Sequence, residues 1–371
     1  MNNNDYCYNV RTLGLIAYLW IFFCGLYLTN LIPFSPVYIG FSILVVYSCV
    51  LLLFDRTLKF SVTLSILVMS TFYFLVVCLY SNISIALNVF VSFSSVMLVY
   101  LVFQRRKINF IVLVSGVLFN GLVLLFDGIW RLLNPKIDNL DRLTELGVGF
   151  QIYKSNSIMY ADSNYVGLQA VLFFCFCLNL RGNINFRSLY LDFTILVLLV
   201  ALLLSFSRAA LLSMTVAIVF FLCNKNRNVR RLFVFLSPVF FVFAVQSVLS
   251  VFSEDVSFNS KFAILDAFLS YFIGSDYSTK LFGVGFGNAD AIFGFGTHNL
   301  ILTFLIESGI VGLLIFTCYL FFSFCRLKSE FLIVCVPFLI ASMSLGATAI
   351  PYFFTMTTLA MLLKSKLLVL G

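Results

Sequence analysis

The feature that most constrains this chain is a series of long apolar runs separated by short polar, Pro- or Gly-containing breaks. A helix that spans a bilayer needs about 20 mainly apolar residues, and a content of 62% hydrophobic and 10% charged residues lies far outside the range of soluble domains. We therefore predict an all-α polytopic membrane protein in which residues 1–371 form a single integral membrane domain. The twelve predicted spans lie near residues 13–32, 36–54, 60–80, 84–103, 109–126, 164–180, 189–205, 208–223, 232–252, 298–324, 331–349 and 352–370.

The basic residues give an independent test of that span count. Lys and Arg collect in the short cytoplasmic loops of membrane proteins. With twelve spans both termini lie on one side, and placing that side in the cytoplasm puts most of the 23 basic residues inside, including the clusters at 104–107 and 224–231. The net charge of +8 is therefore mainly a topology signal, and it predicts no nucleic-acid partner.

Two segments, 127–163 and 253–297, break the pattern of short loops. Long loops in compact proteins are functional or disordered, and these two carry aromatics and glycines rather than a disordered composition. We predict them as two large outer loops that form the working surface. The second contains the stretches FAILDAFLSYFI and LFGVGFG, which predict a short amphipathic helix at the interface followed by a turn.

The cysteines carry no metal or disulfide signal. All of them except Cys7 lie in or against apolar runs, and neither long outer segment contains one. The pair Cys175 and Cys177 supplies too few ligands for a metal ion. The sequence therefore predicts no disulfide framework, no metal site and no cofactor.

The stretch THNLILTFLIESGIVG, residues 297–312, contains His298, the only histidine of the chain. On an ideal helix Gly309 and Gly312 fall within about 40° of His298, so this face is predicted to pack closely against a neighbour. Glu307 points to the opposite face, on the order of 13 Å deeper, and is not expected to pair with His298. A carboxylate at that depth is either functional or hydrogen-bonded to neighbouring backbone or hydroxyl groups, and the sequence leaves both interpretations open.

A second motif is SFSRAALL, residues 205–212. Arg208 stands at the predicted outer start of the eighth span, after a turn that contains Ser205 and Ser207. The guanidinium fork suits phosphate oxygens, and the helix N-terminus and the serine hydroxyls would add to an anion site. The alternative is an arginine that snorkels to lipid headgroups.

Two further motifs lie on the same predicted side. In YADSNYVG, residues 160–167, Asp162, Ser163 and Asn164 are good N-cap residues, and Asp162 alternatively accepts a proton or orients a sugar hydroxyl. The stretch GVGFGN, residues 283–288, lacks the Lys-Ser/Thr pair of a P-loop and any βαβ context. Its glycines are predicted to shape a re-entrant turn just before His298.

Together these motifs resemble the superfamily of bacterial O-antigen polymerases and O-antigen ligases. The resemblance is carried by SFSRAALL, YADSN, LFGVGFGN at 281–288 and above all HNLILTFLIESGIVG at 298–312, which fits the family pattern of His-Asn, nine residues and Gly-x-x-Gly. It implies metal-independent glycosyl transfer at the periplasmic face of the inner membrane, from an undecaprenyl diphosphate-linked oligosaccharide to a sugar hydroxyl. Where many relatives carry Arg early in the second large loop, this chain has Lys261.

The resemblance implies roles for particular residues. His298 and Arg208 are the predicted catalytic residues: Arg208 would hold the diphosphate, and His298 would accept the acceptor proton as general base or polarise the donor phosphate. The residues predicted to bind substrate are Lys261, Arg142, Asp162, Asn164 and Asn299. Lys261 or Arg142 would assist Arg208, and Asn299 would orient the acceptor or the His298 ring.

Polymerase and ligase differ in their acceptor, which is another lipid-linked repeat unit or lipid A-core. The polymerase is favoured because the second outer loop is short for a ligase and the outer face is Phe-rich and poorly basic. The expected partners are the lipid-linked oligosaccharide and membrane lipid, with a chain-length regulator and a flippase beside them. The alternative of another class, a flippase or transporter of the lipid-linked oligosaccharide, is disfavoured because the sequence shows no internal repeat and few mid-membrane charges.

Overall fold

A computed structural model describes residues 18–28, 31–32, 34–54, 62–104, 108–137, 149–160, 162–184, 186–238, 256–294, 299–343, 345–346 and 350–364, and for residues 54, 62, 63, 150 and 256–261 the backbone alone. These residues form helices and no β-strand, which confirms the all-α prediction. In chain order the α-helices are α1 (18–23), α2 (Pro36–Phe54), α3 (Val62–Cys78), α4 (Ile83–Phe103), α5 (Phe110–Leu133), α6 (Ser163–Asn183), α7 (Leu189–Leu203), α8 (Arg208–Lys225), α9 (within 227–238), α10 (Val256–Gly274), α11 (Tyr277–Phe282), α12 (Ala289–Phe293), α13 (Leu300–Leu327), α14 (Phe331–Val334), α15 (Val336–Ser342) and α16 (Pro351–Lys364). Two 3₁₀ turns lie at Gly149–Tyr153 and Lys328–Glu330.

The polar breaks between apolar runs start the helices. At each of six helix starts an Asn, Asp or Ser side chain accepts a hydrogen bond from a backbone amide of the first turn, which satisfies a donor that the helix itself leaves open. These N-cap residues are Asn82, Asn109, Asp162, Ser188, Ser207 and Asn299. The short breaks in the sequence therefore fix where the helices begin.

Six stretches of the described chain are helical, long and apolar enough to cross a bilayer: Pro36–Leu53, Ile83–Phe103, Phe110–Leu133, Ser163–Asn183, Arg208–Lys225 and Leu300–Val334. Shorter apolar helices lie at Leu64–Cys78, Leu189–Leu203 and Phe262–Gly274. The protein is thus a multi-pass membrane protein by the character of its helices. The count of twelve spans and the assignment of their ends to the two sides of the membrane stay predictions.

The first predicted span, 13–32, is not one continuous helix, because α1 ends at residue 23. Buried amides from two other helices satisfy the backbone there. Asn120 Nδ2 donates to the carbonyl oxygens of Ile21 and Phe22 at 3.0 and 3.2 Å, and Gln169 Nε2 donates to that of Gly25 at 2.9 Å. The chain can leave the helical path inside the bundle because these side chains replace hydrogen bonds that the helix would have made.

Helix α6 forms the centre of the bundle. It packs against α5, α7, α8, α14, α15 and α16, and every residue from 166 to 180 is buried. Beside it, phenylalanines of α3, α4, α13 and α16 pack against one another: Phe74 and Phe93 are stacked with ring centroids 3.6 Å apart, and Phe93 and Phe354 are tilted with centroids 4.6 Å apart. Aromatic packing of this kind contributes to helix association in lipid, where the hydrophobic driving force between helices is weak.

The sequence motifs gather at one end of the bundle. The N-termini of α4, α6, α8 and α13 and the C-termini of α3, α5 and α7 lie there, joined by hydrogen bonds such as the one from the Asn82 amide to the Phe286 carbonyl at 2.9 Å. We call it the motif end. The opposite end carries the ion pairs Arg181–Asp192, at 3.0 Å, and Lys364–Glu330, at 3.0 Å.

Candidate functional site at the motif end of the bundle

The motifs YADSN and SFSRAALL meet at the motif end. Ser163, the first residue of α6, donates from its hydroxyl to the carbonyl oxygen of Ser205 at 3.0 Å. One turn further along α6, a Cβ on Gly167 would lie only 2.9 Å from Cβ of Ala210. The close packing of α6 on the start of α8 therefore brings Asp162 and Asn164 beside the turn that precedes Arg208.

The turn of residues 204–207, which we call the serine turn, uses its hydroxyls internally. Ser205 Oγ donates to the Leu202 carbonyl at 2.7 Å and accepts the Ser207 amide at 3.3 Å, and Ser207 Oγ caps α8 by accepting the Ala210 amide at 3.4 Å. Both serines are buried. The prediction that these hydroxyls help to bind an anion is therefore not supported, because they hold the turn in shape.

Arg208 is the first residue of α8, and its side chain is exposed. Phe206, two residues earlier, has a positive φ of 52°, a left-handed conformation that an L-residue adopts only where its surroundings hold it. Its ring stacks on Tyr153, with centroids 5.5 Å apart and an interplanar angle of 24°. The stack fixes the approach to Arg208 against residues 149–153 of the first outer segment.

A buried ion pair anchors that outer segment. Arg131 Nε lies 2.8 Å from Asp127 Oδ2, and both side chains are 0% exposed. Asp127 Oδ1 also accepts the Ser157 hydroxyl at 2.7 Å and the Ile158 amide at 2.8 Å, while Arg131 Nη1 donates to the Tyr153 carbonyl at 2.9 Å. The pair therefore ties α5 to both ends of segment 153–158.

The apolar pattern of the sequence does not reveal this ion pair. It predicts a fifth span that ends at residue 126 and an outer loop that begins at 127, whereas α5 continues to Leu133. The signal that could have found the pair is the spacing of Asp127 and Arg131, since residues four apart on a helix are neighbours.

Asp162 and Asn164 serve as a cap. Asp162 Oδ1 accepts the Asn164 amide at 2.9 Å, and its Oδ2 accepts Asn164 Nδ2 at 3.0 Å. This confirms the capping interpretation of Asp162. The further prediction that Asp162 and Asn164 bind substrate stays a prediction, and both side chains are partly exposed at the motif end.

Tyr160 lies behind this cap and donates its hydroxyl to Gln169 Oε1 at 2.6 Å. Removal from water raises the pKa of the Tyr160 phenol well above its ordinary value, with a smaller contribution from nearby tyrosines. The hydroxyl therefore remains a protonated donor and links the cap region to Gln169, which in turn holds the carbonyl of Gly25.

The third motif, GVGFGN, docks into a break in α13. Gly309 has φ 66° and ψ −173°, so the helix is interrupted there. The carbonyl oxygens of Ile306 and Glu307, which the interruption frees, accept the amides of Val284 and Gly285 at 2.9 Å each. The prediction of one continuous helix carrying His298, Gly309 and Gly312 on one face is therefore wrong beyond residue 308.

The glycines of this junction permit a backbone crossing. Gly283 has φ 80°, and a Cβ on it would overlap the Glu307 carbonyl; a Cβ on Gly309 would overlap the carbonyl of Leu281. Gly312 is buried, and a Cβ there would overlap the hydroxyl of Ser308. Close approach at Gly309 was predicted, but the partner is the chain at the end of α11 rather than the face of another long helix.

Glu307 is 5% exposed, and its Oε1 accepts the amide of Gly287 at 2.9 Å. This contact supports the interpretation that the carboxylate hydrogen-bonds neighbouring backbone and fixes packing. The amide of Phe286 donates to the Ser81 hydroxyl at 2.6 Å. The loop amides from 284 to 287 are thus all directed to protein acceptors, so GVGFGN forms the predicted turn and offers no cradle for an anion.

Asn299 begins α13. Its Oδ1 accepts the amides of Ile301 and Leu302 at 3.0 and 3.2 Å, so the structure gives it a capping role that the sequence analysis did not assign. Its Nδ2 donates to Met343 Sδ at 3.6 Å, and Tyr165 Oη donates to the carbonyl of Gly346 at 3.1 Å. The connection after α15 therefore contacts both the start of α13 and the start of α6.

Three predicted site residues are not placed by the structure. His298 and Arg142 lie outside the described residues, and Lys261 is described only by its backbone, in α10. The approach of His298 to Arg208 therefore stays a prediction. What the structure does place at one end of the bundle is Arg208, the 162–164 cap, the GVGFGN turn and Asn299, the residue after His298.

Comparison with known protein families places this region in a known group. Residues 193–317 match a protein family whose description is O-Antigen ligase. The matched region runs from α7 to the middle of α13, so it contains the serine turn, Arg208, the GVGFGN turn and the break at Gly309. A search of the curated proteins finds no match to this chain.

Proposed function

The match over residues 193–317 marks the chain as a member of the O-antigen polymerase and ligase superfamily, and on that premise we propose that it is an O-antigen polymerase. It joins oligosaccharide repeat units, each linked to undecaprenyl diphosphate, by glycosyl transfer at the periplasmic face of the bacterial inner membrane. The observation that carries this proposal is the exposed Arg208 at the motif end, within the family-matched region.

The donor needs no further activation, because a diphosphate is a good leaving group once its charge is held. Arg208 supplies that charge. Its guanidinium can donate two parallel hydrogen bonds to one phosphoryl group, and the Tyr153–Phe206 stack and the buried serine turn fix the backbone from which it projects. Preorganised positive charge of this kind stabilises the developing anion without reorganisation during the reaction.

The proposed reaction exchanges the bond to the lipid diphosphate for a glycosidic bond. A hydroxyl oxygen of the acceptor sugar attacks the anomeric carbon of the donor sugar, and a new C–O glycosidic bond forms. The bond between that carbon and the diphosphate oxygen breaks, and undecaprenyl diphosphate leaves with the electron pair. The acceptor hydroxyl proton goes to His298, whose intrinsic pKa near neutrality suits a general base. No metal or nucleotide takes part.

The polymerase is preferred to the ligase because of its acceptor. The outer segment before α13 is short, and α10 and α11 expose large apolar side chains such as Phe262, Ile273 and Tyr277. An apolar surface suits two lipid-linked substrates better than a phosphorylated core oligosaccharide. The ligase remains the alternative. The family match gives no support to a flippase, although a flippase and a chain-length regulator are proposed as partners of the polymerase.

A gel of lipopolysaccharide from a strain deleted for this gene tests the proposal. We expect core that bears a single repeat unit and no ladder, with the ladder restored by the wild-type chain but not by Arg208→Ala or His298→Ala at equal protein levels. Bare core, with long glycan still held on the lipid carrier, would instead identify the chain as the ligase.

A further inference from the structure

Lys154 lies at the motif end next to the residues that position Arg208. Its Nζ donates to Asn164 Oδ1 at 3.4 Å, and both side chains are partly exposed. Lys154 directly follows Tyr153, whose ring stacks on Phe206, and Phe206 precedes Arg208 by two residues. One aromatic stack therefore joins the backbone that carries Lys154 to the backbone that carries Arg208.

A second link runs through the cap of α6. Asn164 accepts a hydrogen bond from the Lys154 ammonium and directly follows Ser163. The Ser163 hydroxyl donates to the Ser205 carbonyl in the serine turn at 3.0 Å. The side chain of Lys154 and the start of α8 are thus attached to the same residues of α6. These two links, through the Tyr153 ring and through Ser163, hold the two cationic residues at neighbouring parts of one surface.

The segment that carries Lys154 is held before any ligand arrives. The Asp127–Arg131 pair makes three hydrogen bonds to residues 153–158, as given above, and the Lys136 amide donates to the Ile152 carbonyl at 3.0 Å. An ordered segment loses little conformational freedom on binding, so a charge placed on it contributes more to affinity than one on a flexible chain.

We propose that Lys154 is a second phosphate-binding cation beside Arg208, the task that the sequence assigned to Lys261 or Arg142. This inference rests on the proposed function, in which Arg208 holds the diphosphate. A diphosphate presents two phosphoryl groups. Arg208 engages one with its planar fork, and the Lys154 ammonium engages the other as a compact point charge. Lys154 is thereby the residue that distinguishes a diphosphate carrier from a monophosphate carrier.

Binding to the purified full-length chain in nanodiscs of neutral lipid tests this assignment. The probes are undecaprenyl diphosphate, undecaprenyl monophosphate and phosphatidylglycerol, and the variants are Lys154→Gln, Lys154→Arg and Arg208→Gln. The control is Lys225→Gln, which removes an exposed lysine from the opposite end of the bundle. Thermal unfolding of each variant confirms that it is folded.

We expect Lys154→Gln to weaken undecaprenyl diphosphate binding about tenfold or more and monophosphate binding by about threefold or less, and Lys154→Arg and Lys225→Gln to stay near wild type. An unchanged diphosphate affinity in Lys154→Gln would overturn the inference. Equal losses for all three probes would also overturn it, since they would indicate general attraction to lipid headgroups.

The Arg208→Gln arm separates this inference from the proposed function. A loss in Arg208→Gln without one in Lys154→Gln removes only the role of Lys154. Wild-type diphosphate binding in both variants removes the diphosphate site at Arg208 as well. Should Lys154→Gln fail to fold, two separate variants measure the same preference: Lys154→Arg, and Asn164→Leu, which removes the acceptor of the ammonium. An unaltered ratio of diphosphate to monophosphate affinity in Asn164→Leu contradicts the inference.

Discussion

The backbone of Gly309 lies directly against the carbonyl group of Leu281, so that a Cβ at position 309 would overlap its oxygen. Gly309 also has φ 66°. With ψ −173° this is a conformation that is essentially restricted to glycine. We therefore expect Gly309→Ala to lose about 1–3 kcal/mol from the backbone conformation and about 1–3 kcal/mol more from overlap. The free energy of unfolding in mixed micelles measures the sum.

Two other glycines separate these contributions. Gly294 has φ 72° but open space around it, and Gly274 has open space and no positive φ. Gly294→Ala should therefore show the cost of a left-handed backbone, about 1–2 kcal/mol, without overlap, and Gly274→Ala should be near neutral. A Gly309→Ala variant no less stable than Gly294→Ala would contradict the crossing of α11 and α13.

The carboxylate of Glu307 accepts the Gly287 amide, and Glu307→Gln keeps an acceptor oxygen of similar placement. We expect Glu307→Gln to stay near wild type in stability and activity. Glu307→Leu leaves the amide without that acceptor and should cost about 1–3 kcal/mol. A Gln variant of normal stability but without glycan polymerisation would show that the charge itself takes part in the reaction.

The buried pair Asp127–Arg131 predicts a non-additive double-mutant cycle. Arg131→Met leaves a buried carboxylate without its cation and should cost about 3–5 kcal/mol, whereas Arg131→Met combined with Asp127→Leu should cost clearly less than the sum of the two single changes. The matched control is the half-exposed pair Arg181–Asp192, where Arg181→Met should cost about 1 kcal/mol or less. Additive losses at 127 and 131 would contradict the pairing.

Arg208→Lys keeps the positive charge but loses the planar fork of donors. If the guanidinium binds a phosphoryl group through two parallel hydrogen bonds, polymerisation should fall by about one to two orders of magnitude at normal protein levels, corresponding to about 1.5–3 kcal/mol. The control is Arg230→Lys, which makes the same change at an exposed arginine beyond the C-terminus of α8. An unaffected rate in Arg208→Lys would indicate an arginine that only contacts lipid headgroups.

The helical architecture and the caps were predictable because both follow from local chemistry. Apolar runs of span length form helices in lipid, and the Asp, Asn and Ser residues at their starts satisfy free amides, as Asp162 and Ser207 do. The turn at GVGFGN was predictable for the same reason, since glycine is the residue that tolerates the positive φ of 283, 285 and 287.

The break in α13 was not predictable, because it depends on partners remote in the sequence. An apolar run that contains Gly309 reads as a continuous helix with a packing glycine. The freed carbonyls of Ile306 and Glu307 are satisfied only once Val284 and Gly285 dock against them. The hydroxyls of Ser205 and Ser207 were likewise predicted to contact a ligand. Only the folded turn shows that both hydroxyls form hydrogen bonds within it.

The Asp127–Arg131 pair was missed for a related reason. A hydropathy pattern ends a span at its first charged residue, so Asp127 was assigned to the loop. The carboxylate is buried because Ser157 and Ile158 return to it from the far end of the outer segment. Long-range hydrogen bonds of this type leave no mark on the local sequence, although the four-residue spacing of an acid and a base is a usable hint.

The most direct measurement reconstitutes the purified chain in lipid vesicles with one substrate, undecaprenyl diphosphate-linked repeat unit, and follows the glycan on the carrier by mass spectrometry. The account predicts carrier-linked chains of two and more repeat units together with released undecaprenyl diphosphate, and no product with Arg208→Ala. No lengthening with that substrate alone, followed by transfer of glycan once lipid A-core is added, would contradict the account and identify a ligase.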